Sequence, residues 1–340
     1  MTIYGINFVP RRPGRVVLLV VLGLIVASVG AVIALARDTA PPIGRGIVLI
    51  DTNLAYQGEA AAGTGMVLTS SGEVLTNNHV ISGATTIKVV IPKTTHSYKA
   101  RVVGYDRTAD VAVLQLEGAS NLKTISISSA KLPVGAKVTA RGNAGGDGKI
   151  SSATGSVTGL GKSVTASDGT FSEQLTGLIE TNAGVRPGDS GGPLVTSQGQ
   201  VVGMDTAASA QFGFQNVSAT QAFAIPIAKA LTVAQAIFSG KASSTVHIGA
   251  TAFLGVEVES VPSGSGALIA SVVRGGPAAS AGLAPGDVIT TIDGRTVSSP
   301  TAIPAHMLTK KPGEMMRVVY LDQSRTSHTA SVTLRSGPAQ

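Results

Sequence analysis

Cysteine and tryptophan are both absent from the 340 residues. Without thiols the chain makes no disulfide, no thiolate metal site and no cysteine nucleophile. Aromatic residues are scarce at 4% and charged residues make up only 13%, against 43% hydrophobic residues. That balance excludes a disordered, charge-swollen polymer, and it means that any core is built from valine, isoleucine, leucine and alanine rather than from rings. Neither sign of charge forms a long block. The net charge of +7 invites a nucleic-acid reading, but Arg11, Arg12 and Arg15 form the one basic cluster and the other cations are scattered. With no aromatic–basic interleaving, no nucleic-acid partner is expected. Acidic and histidine side chains are not gathered at ligand spacings, so no metal and no cofactor is expected.

What the chain has in quantity is glycine, 42 residues of it, together with many β-branched residues. The combination favours an all-β architecture with tight turns. It also has one long apolar run, residues 16–36, free of charge. As a helix this run rises roughly 31 Å, close to the ~30 Å hydrocarbon core of a bilayer. The arginines at 11, 12 and 15 precede it, which orients the N-terminus to the cytoplasm and the body of the protein outside. The expectation is a single transmembrane helix, with residues 1–37 as cytoplasmic tail and anchor. The competing reading is a signal peptide cleaved after Ala36, at the A-x-A site Ala34-Leu35-Ala36; the protein would then be secreted.

Residues 38–45, with two prolines and a glycine, read as a linker. From Ile47 onward short β-rich runs alternate with turn signals, first "GTGMVL", "GEVLTNNHV", "TTIKVVIP", "KARVVGYD" and "DVAVLQL", then "GAKVTARG", "GSVTGL", "TGLIETN", "GPLVT" and "GQVVGMDT". Their spacing suits a sandwich or barrel. Residues 225–240 have apolar residues at helical spacing and a stop at Gly240, predicting a helix. Polar residues 241–249 read as a second linker, dividing 46–240 from a smaller unit at 250–337.

Three stretches carry chemistry. "VRPGDSGGPLV", residues 185–195, surrounds Ser190 with residues that let a backbone bend sharply and a substrate come close. A bent turn here points the amides of Gly188 and Ser190 at one spot, as an oxyanion hole requires. A serine hydroxyl also needs a base and a group to orient that base. His79 ends the strand-like "GEVLTNNH", beside a loop, where a general base reaches a substrate. Asp110 opens the apolar run "DVAVLQL", where a carboxylate is costly without a partner; the His79 ring is a suitable one. Asp106, in "GYDRT", is the rival acid. Gly188 to Gly192 also matches the G-x-S-x-G nucleophile elbow, but that motif needs a helix after the serine and the order serine, acid, histidine. Here Pro193 leads into a β-rich run and the order is His, Asp, Ser.

Together these stretches resemble the chymotrypsin-like clan, and more closely the HtrA-type (Deg) serine peptidases with a C-terminal PDZ domain. "LTNNHVISGA", "VVGYDRTADVAVLQL", "VRPGDSGGPLV", "GQVVGMDTAAS" and "FAIPIAKAL" are similar in particular to the exported actinobacterial PepA-type branch. The resemblance covers roughly residues 46–335. It implies a double β-barrel with the active site in the cleft, a trypsin-like peptidase domain at 46–240 and an α+β PDZ domain at 250–337. It carries over His79 as general base, Asp110 as orienting acid, Ser190 as nucleophile, and Gly188 and Ser190 as oxyanion donors. It further implies unfolded or exposed polypeptide substrates and a homo-oligomer, trimeric in many relatives. Two departures stand out: Asp189 where many members carry asparagine, and Thr181-Asn182-Ala183 where many show "TDA". In this clan the substrate-pocket floor falls on Gly184 and one wall on Asp205, Thr206 and Ala207. With no acid at the floor, a small or medium apolar side chain is expected before the scissile bond. Residues 276–297 resemble the bacterial PDZ signature, and Phe253, Leu254, Gly255 and Val256 look like the loop whose amides receive a peptide C-terminal carboxylate. The contrasting reading is a catalytically silent peptide-binding or chaperone-like module.

Overall fold

Six strands, β1 (Ile47–Leu54), β2 (Glu59–Val67), β3 (Glu73–Thr76), β4 (Thr86–Val90), β5 (Ser97–Asp106) and β6 (Val111–Leu116), pair in the order β5-β4-β1-β2-β3-β6. β6 pairs back onto β5 and closes the ring. A four-residue helix, α1 (Asn78–Ile81), follows β3. A second closed barrel has the order β10-β11-β12-β9-β8-β7, built from β7 (Lys137–Gly142), β8 (Ser151–Ser167), β9 (Ser172–Thr181), β10 (Pro193–Val195), β11 (Val201–Ala208) and β12 (Ala222–Pro226). The structure is a computed structural model that describes residues 44–339 apart from 57, 95, 168–171, 209–220 and 263. The expected anchor at 16–36 lies outside the described residues, as does most of the linker at 38–45. Among the described residues no helix is long and apolar enough to cross a membrane.

β6 shows why the pattern in the chain gives two barrels rather than a lone sheet. Its residues are apolar almost without a break because both faces are covered. Ala112, Leu114 and Leu116 point into the first barrel with Val48, Ile50 and Val89. Val111 and Val113 point the other way, into a core shared with Leu178, Met204, Phe223 and Ile225 of the second barrel. A buried seam of aliphatic side chains therefore joins the barrels, and the cleft between them opens at the head of β6, where Asp110 stands.

The helix predicted over 225–240 is α2 (Ile227–Phe238), with Ile227, Ala230, Ala234 and Ile237 buried. It ends where Gly240 takes φ +68°. The Gly240 amide then donates to the Ile237 carbonyl and the Lys241 amide to the Ala236 carbonyl, both at 3.0 Å, the paired bonds of a Schellman stop. The stretch expected as a connector, 241–249, contains a strand, β13 (Val246–Ile248), which adds antiparallel to β5 with His247 opposite Tyr105. Its polar composition hid the alternation in Val-His-Ile that lets Val246 turn into the core. Beyond it come β14 (Thr251–Phe253), β15 (Val256–Ser260), β16 (Ala267–Val272), β17 (Val288–Ile292), β18 (Arg295–Thr296), β19 (Met315–Leu321), β20 (Ser327–Thr333) and β21 (Arg335–Gly337), with short helices α3 (Pro277–Ser280) and α4 (Ala302–Met307). Their main sheet runs β15-β16-β17-β19-β20, leaving β15 at an edge, while β14 pairs with β21. This unit has its own aliphatic core, centred on Ile269, Ile289, Met316 and Val332.

The seat of β13 depends on a missing side chain. A Cβ on Gly104 would lie 2.5 Å from the His247 carbonyl oxygen and 2.9 Å from Ile237 Cγ2. Gly104→Ala is expected to displace β13 or α2 and to lower stability by about 1–3 kcal/mol, the usual penalty of overpacking. Urea denaturation measures it, and an unchanged midpoint and slope would show that the contact yields freely.

Candidate active site

β3 delivers the chain to Asn77, and α1 carries His79 out of the first barrel. The Asn77 side-chain amide donates to the Asp110 carbonyl at 2.9 Å. Asp110 itself has φ +53°, a left-handed conformation uncommon outside glycine and more accessible to aspartate than to most residues. Its amide closes a turn onto the Arg107 carbonyl at 3.0 Å. Such a conformation persists only where its surroundings hold it, and here the carboxylate is held on three sides. Oδ1 accepts the His79 backbone N–H at 3.0 Å. The His79 ring Nδ1 lies 2.9 Å from Oδ2 and 3.1 Å from Oδ1. Oδ2 also accepts the Thr206 hydroxyl at 2.6 Å. A carboxylate facing Nδ1 places the ring hydrogen there and leaves the Nε2 lone pair outward, the tautomer a general base needs. The rival acid is engaged elsewhere: Asp106 caps its own turn, accepting from Thr108 Oγ1 at 2.8 Å and the Ala109 amide at 3.1 Å. Its other oxygen takes the Thr245 hydroxyl.

Ser190 lies in a turn bound to the opposite wall. Within the turn the Asp189 amide donates to the Arg186 carbonyl at 3.0 Å and the Gly192 amide to the Asp189 carbonyl at 2.9 Å. Gly188 takes φ +93°, and its amide donates to no acceptor among the described residues. Thr64, fully buried in β2, ties the turn down. Its hydroxyl donates to the Gly188 carbonyl at 2.7 Å, and its amide to the Ser190 carbonyl at 2.9 Å. The Thr64 carbonyl in turn accepts the Thr76 hydroxyl at 2.7 Å, three residues before His79. Glycine is required at 191, because a Cβ there would collide with the Thr64 carbonyl oxygen and the Thr76 hydroxyl. The three chemistry-bearing stretches thus converge on the cleft.

The pocket residues fare differently. Gly184 is exposed, and a Cβ on it would meet nothing within 4 Å. Thr206, expected on a pocket wall, turns its side chain to Asp110. Ala207 occupies the bulge of β11 between Thr206 and Ala208. Asp205 is fully buried, and among the described residues neither carboxylate oxygen has a hydrogen-bond partner of good geometry. Burial, and next the nearby Asp189, push its carboxyl well above the ordinary aspartate range, with the Arg141 backbone opposing. Burial also raises Asp189, against the Arg186 amide and charge. Asp205 is thus a sealed group and not an open wall. In the smaller unit, Leu254 is a core side chain and Gly255 takes φ +79°. Phe253 stacks on Tyr56 of the first barrel at 5.0 Å between ring centroids, and Val256 begins β15. Thr64 and the Thr206–Asp110 bond escaped sequence reasoning: no spacing pairs residues 64 and 188, and 206 lies within an apolar strand with no local signal for its target.

Comparison with known proteins follows the same division. A trypsin-like peptidase domain model matches residues 63–204 and a PDZ domain model residues 252–334. The serine protease PepD of Mycobacterium tuberculosis is 37% identical over 306 residues, covering 85% of this chain and 63% of PepD. A putative serine protease, HhoB of Synechocystis, is 34% identical over 295 residues, covering 82% of this chain and 67% of HhoB. The chain thus spans about two thirds of the length of these relatives. Among solved structures, the HtrA-type protease AlgW with a tripeptide superposes with a TM-score of 0.51 at 29% identity, covering 88% of this chain and 97% of that one.

Burial alone disfavours an imidazolium at His79, yet the Asp110 charge and hydrogen bond outweigh it and the net shift is upward. The side chain keeps 37% of its surface exposed, so desolvation is weaker than in a sealed core and the carboxylate dominates. The ring is expected to titrate above the ordinary histidine value of about 6.5 in a histidine NMR titration, and to move downward in Asp110→Asn. A wild-type midpoint at or below that value would contradict the pairing.

Proposed function

Because the chain belongs to the HtrA-type family of serine proteases, with a trypsin-like peptidase domain and a PDZ domain, we propose that it is a serine endopeptidase acting on unfolded or exposed polypeptide segments. The observation that carries this reading is the His79–Asp110 pair, closed by Thr206 and facing a nucleophile turn that Thr64 fixes. Ser190 is the nucleophile. His79 Nε2 takes the hydroxyl proton as Oγ attacks the scissile carbonyl carbon, and Asp110 stabilises the imidazolium that forms. The Gly188 and Ser190 amides receive the charge that develops on the carbonyl oxygen. Collapse of the tetrahedral species breaks the C–N bond, the imidazolium gives its proton to the leaving amine, and an acyl-enzyme remains. Water then enters, His79 takes its proton, and the Ser190 ester is hydrolysed. The unfilled position at Gly184 and the sealed Asp205 favour a small or medium apolar side chain before the scissile bond. The apolar run at 16–36 supports a body held outside the cytoplasm by a membrane anchor. The carboxylate-receiving loop of the smaller unit falls on Phe253 to Val256.

A fluorophosphonate probe is expected to label the wild type and not Ser190→Ala, and turnover of unfolded casein is expected to fall on the order of 10⁶-fold in that variant. Failure of the folded wild type to take the label would sink the enzyme reading and leave a peptide-binding scaffold.

A further inference from the structure

Two acids lie beneath the nucleophile turn, and the mechanism uses neither. Asp189, between the oxyanion positions 188 and 190, and Asp205, on β11, are both buried. The backbone ties them to one stretch. The Gly191 amide donates to the Asp205 carbonyl and the Asp205 amide to the Gly192 carbonyl, both at 2.8 Å, and the Gly192 amide donates to the Asp189 carbonyl at 2.9 Å. The two side chains converge on the end of β7. A Cβ on Gly142 would lie 2.6 Å from Asp189 Oδ1, and the backbone of the preceding residue, Arg141, reaches the Asp205 carboxyl. Asp189 Oδ2 accepts the Arg186 amide at 2.9 Å. The other three oxygens, Asp189 Oδ1 and both of Asp205, have no hydrogen-bond partner of good geometry among the described residues. The elements packed around the pair bring Arg186 on the turn, whose charge acts on Asp189, Arg141 on β7, and the uncharged Thr64 from β2, whose hydroxyl is given to the Gly188 carbonyl.

Two bare carboxylates in such a place carry two costs. Their lone pairs go unfilled where burial makes that expensive, and like charges repel strongly away from water. One hydrogen between them removes both costs: it turns one group into a donor, gives the other a bond and leaves a single negative charge. We propose that Asp189 and Asp205 share one proton in an acid–carboxylate hydrogen bond beneath the nucleophile turn, and that Asp205 is thereby a positioning residue for the Gly188 and Ser190 amides. That second role rests on the reading of Ser190 as nucleophile. Burial raises both carboxyls, and the charge of Asp189 raises Asp205 further, the direction a shared proton requires. The link to the amides is the peptide plane. The Asp189 carbonyl and the Ser190 N–H belong to one planar unit and point opposite ways, so a side chain that fixes Asp189 also fixes the direction of the Ser190 donor. Asp205 holds residue 189 by its side chain and residues 191 and 192 by its backbone.

Infrared difference spectroscopy on the full chain at neutral pH reads the proton directly. The wild type is expected to show a carbonyl stretch of a protonated carboxylic acid that Asp205→Asn lacks. In Asp189→Asn the same band is displaced or lost, because the acid has lost its carboxylate partner. A wild-type minus Asp205→Asn difference without an acid band, or a band unmoved by Asp189→Asn, overturns the shared proton. The positioning role is read from the rate at which a fluorophosphonate labels Ser190. Asp205→Ala is expected to label about tenfold or more slowly, short of the loss on the order of 10²–10³-fold that removal of a whole oxyanion donor causes. Asp205→Asn, whose amide supplies Asp189 with a permanent hydrogen, recovers most of that rate. Labelling of Asp205→Ala at the wild-type rate overturns the positioning role. A wild type that takes no label sinks the nucleophile reading instead, and the infrared comparison, which involves no catalysis, still decides the shared proton. Should Asp205→Ala lose the native circular dichroism spectrum, Asp205→Val replaces it in the labelling comparison.

Discussion

The carboxylate of Asp110 is the point on which the two barrels agree. A buried carboxylate is expensive unless its lone pairs are filled, and the donors that fill these come from both sides of the cleft. His79 contributes a ring and a backbone N–H from the first barrel. Thr206 contributes a hydroxyl from β11 of the second. If the barrels slid apart, Asp110 would lose the Thr206 bond and keep the cost of its burial. Its φ of +53° adds strain that only this surrounding set of bonds offsets. The geometry of the base is thus coupled to the docking of the barrels, with one charged group as the coupling.

A second seam does for the nucleophile what Asp110 does for the base. Thr64 belongs to the first barrel, yet it holds the Gly188 and Ser190 carbonyls of the second and receives the Asn143 amide on its hydroxyl. Both seams cross the same cleft in opposite senses: Thr206 reaches from the second barrel to the acid, and Thr64 from the first to the nucleophile turn. The aliphatic seam beneath them supplies the adhesion, since Val111 and Val113 share a core with Phe223 and Ile225. Apolar burial is non-directional and fixes only that the barrels touch. The two threonines fix how.

This division explains what could be read from the chain before folding. His79, Asp110 and Ser190 each announce themselves locally: a polar residue at the end of an apolar strand, a carboxylate before an apolar run, a serine among glycines. The strands and α2 were legible for the same reason, because their periods lie within ten or fifteen residues. The threonines were not, since nothing near residue 64 or 206 in the sequence says which distant group it meets. β13 was misread as connector because three residues hold too little pattern, and its partner β5 lies some 140 residues earlier. The resemblance puts Asp205 on a pocket wall, while the sealing of its side chain beside Asp189 and the Arg141 backbone comes from the fold.

The protonation of these buried groups sets function against stability. A folded-state value raised above the unfolded one means that the native state binds more protons, so stability falls as pH rises through the interval between the two. Asp205 and Asp189 are both raised, and their contribution declines from about pH 4 upward. His79 is raised as well; its contribution is complete below about 6.5 and is lost as pH climbs through the folded value. Glu180, Asp293 and Asp322 act in the opposite sense, but Asp293 is exposed and Asp322 partly so, where solvent screens the effect. At the cleft, then, deprotonating the imidazole removes the attraction that made it a good partner for Asp110. The base becomes able to accept a proton in the same pH range in which the local structure gives up that part of its stability, and the neutral bonds from the His79 amide, Asn77 and Thr206 hold the site in place once the ion pair is gone.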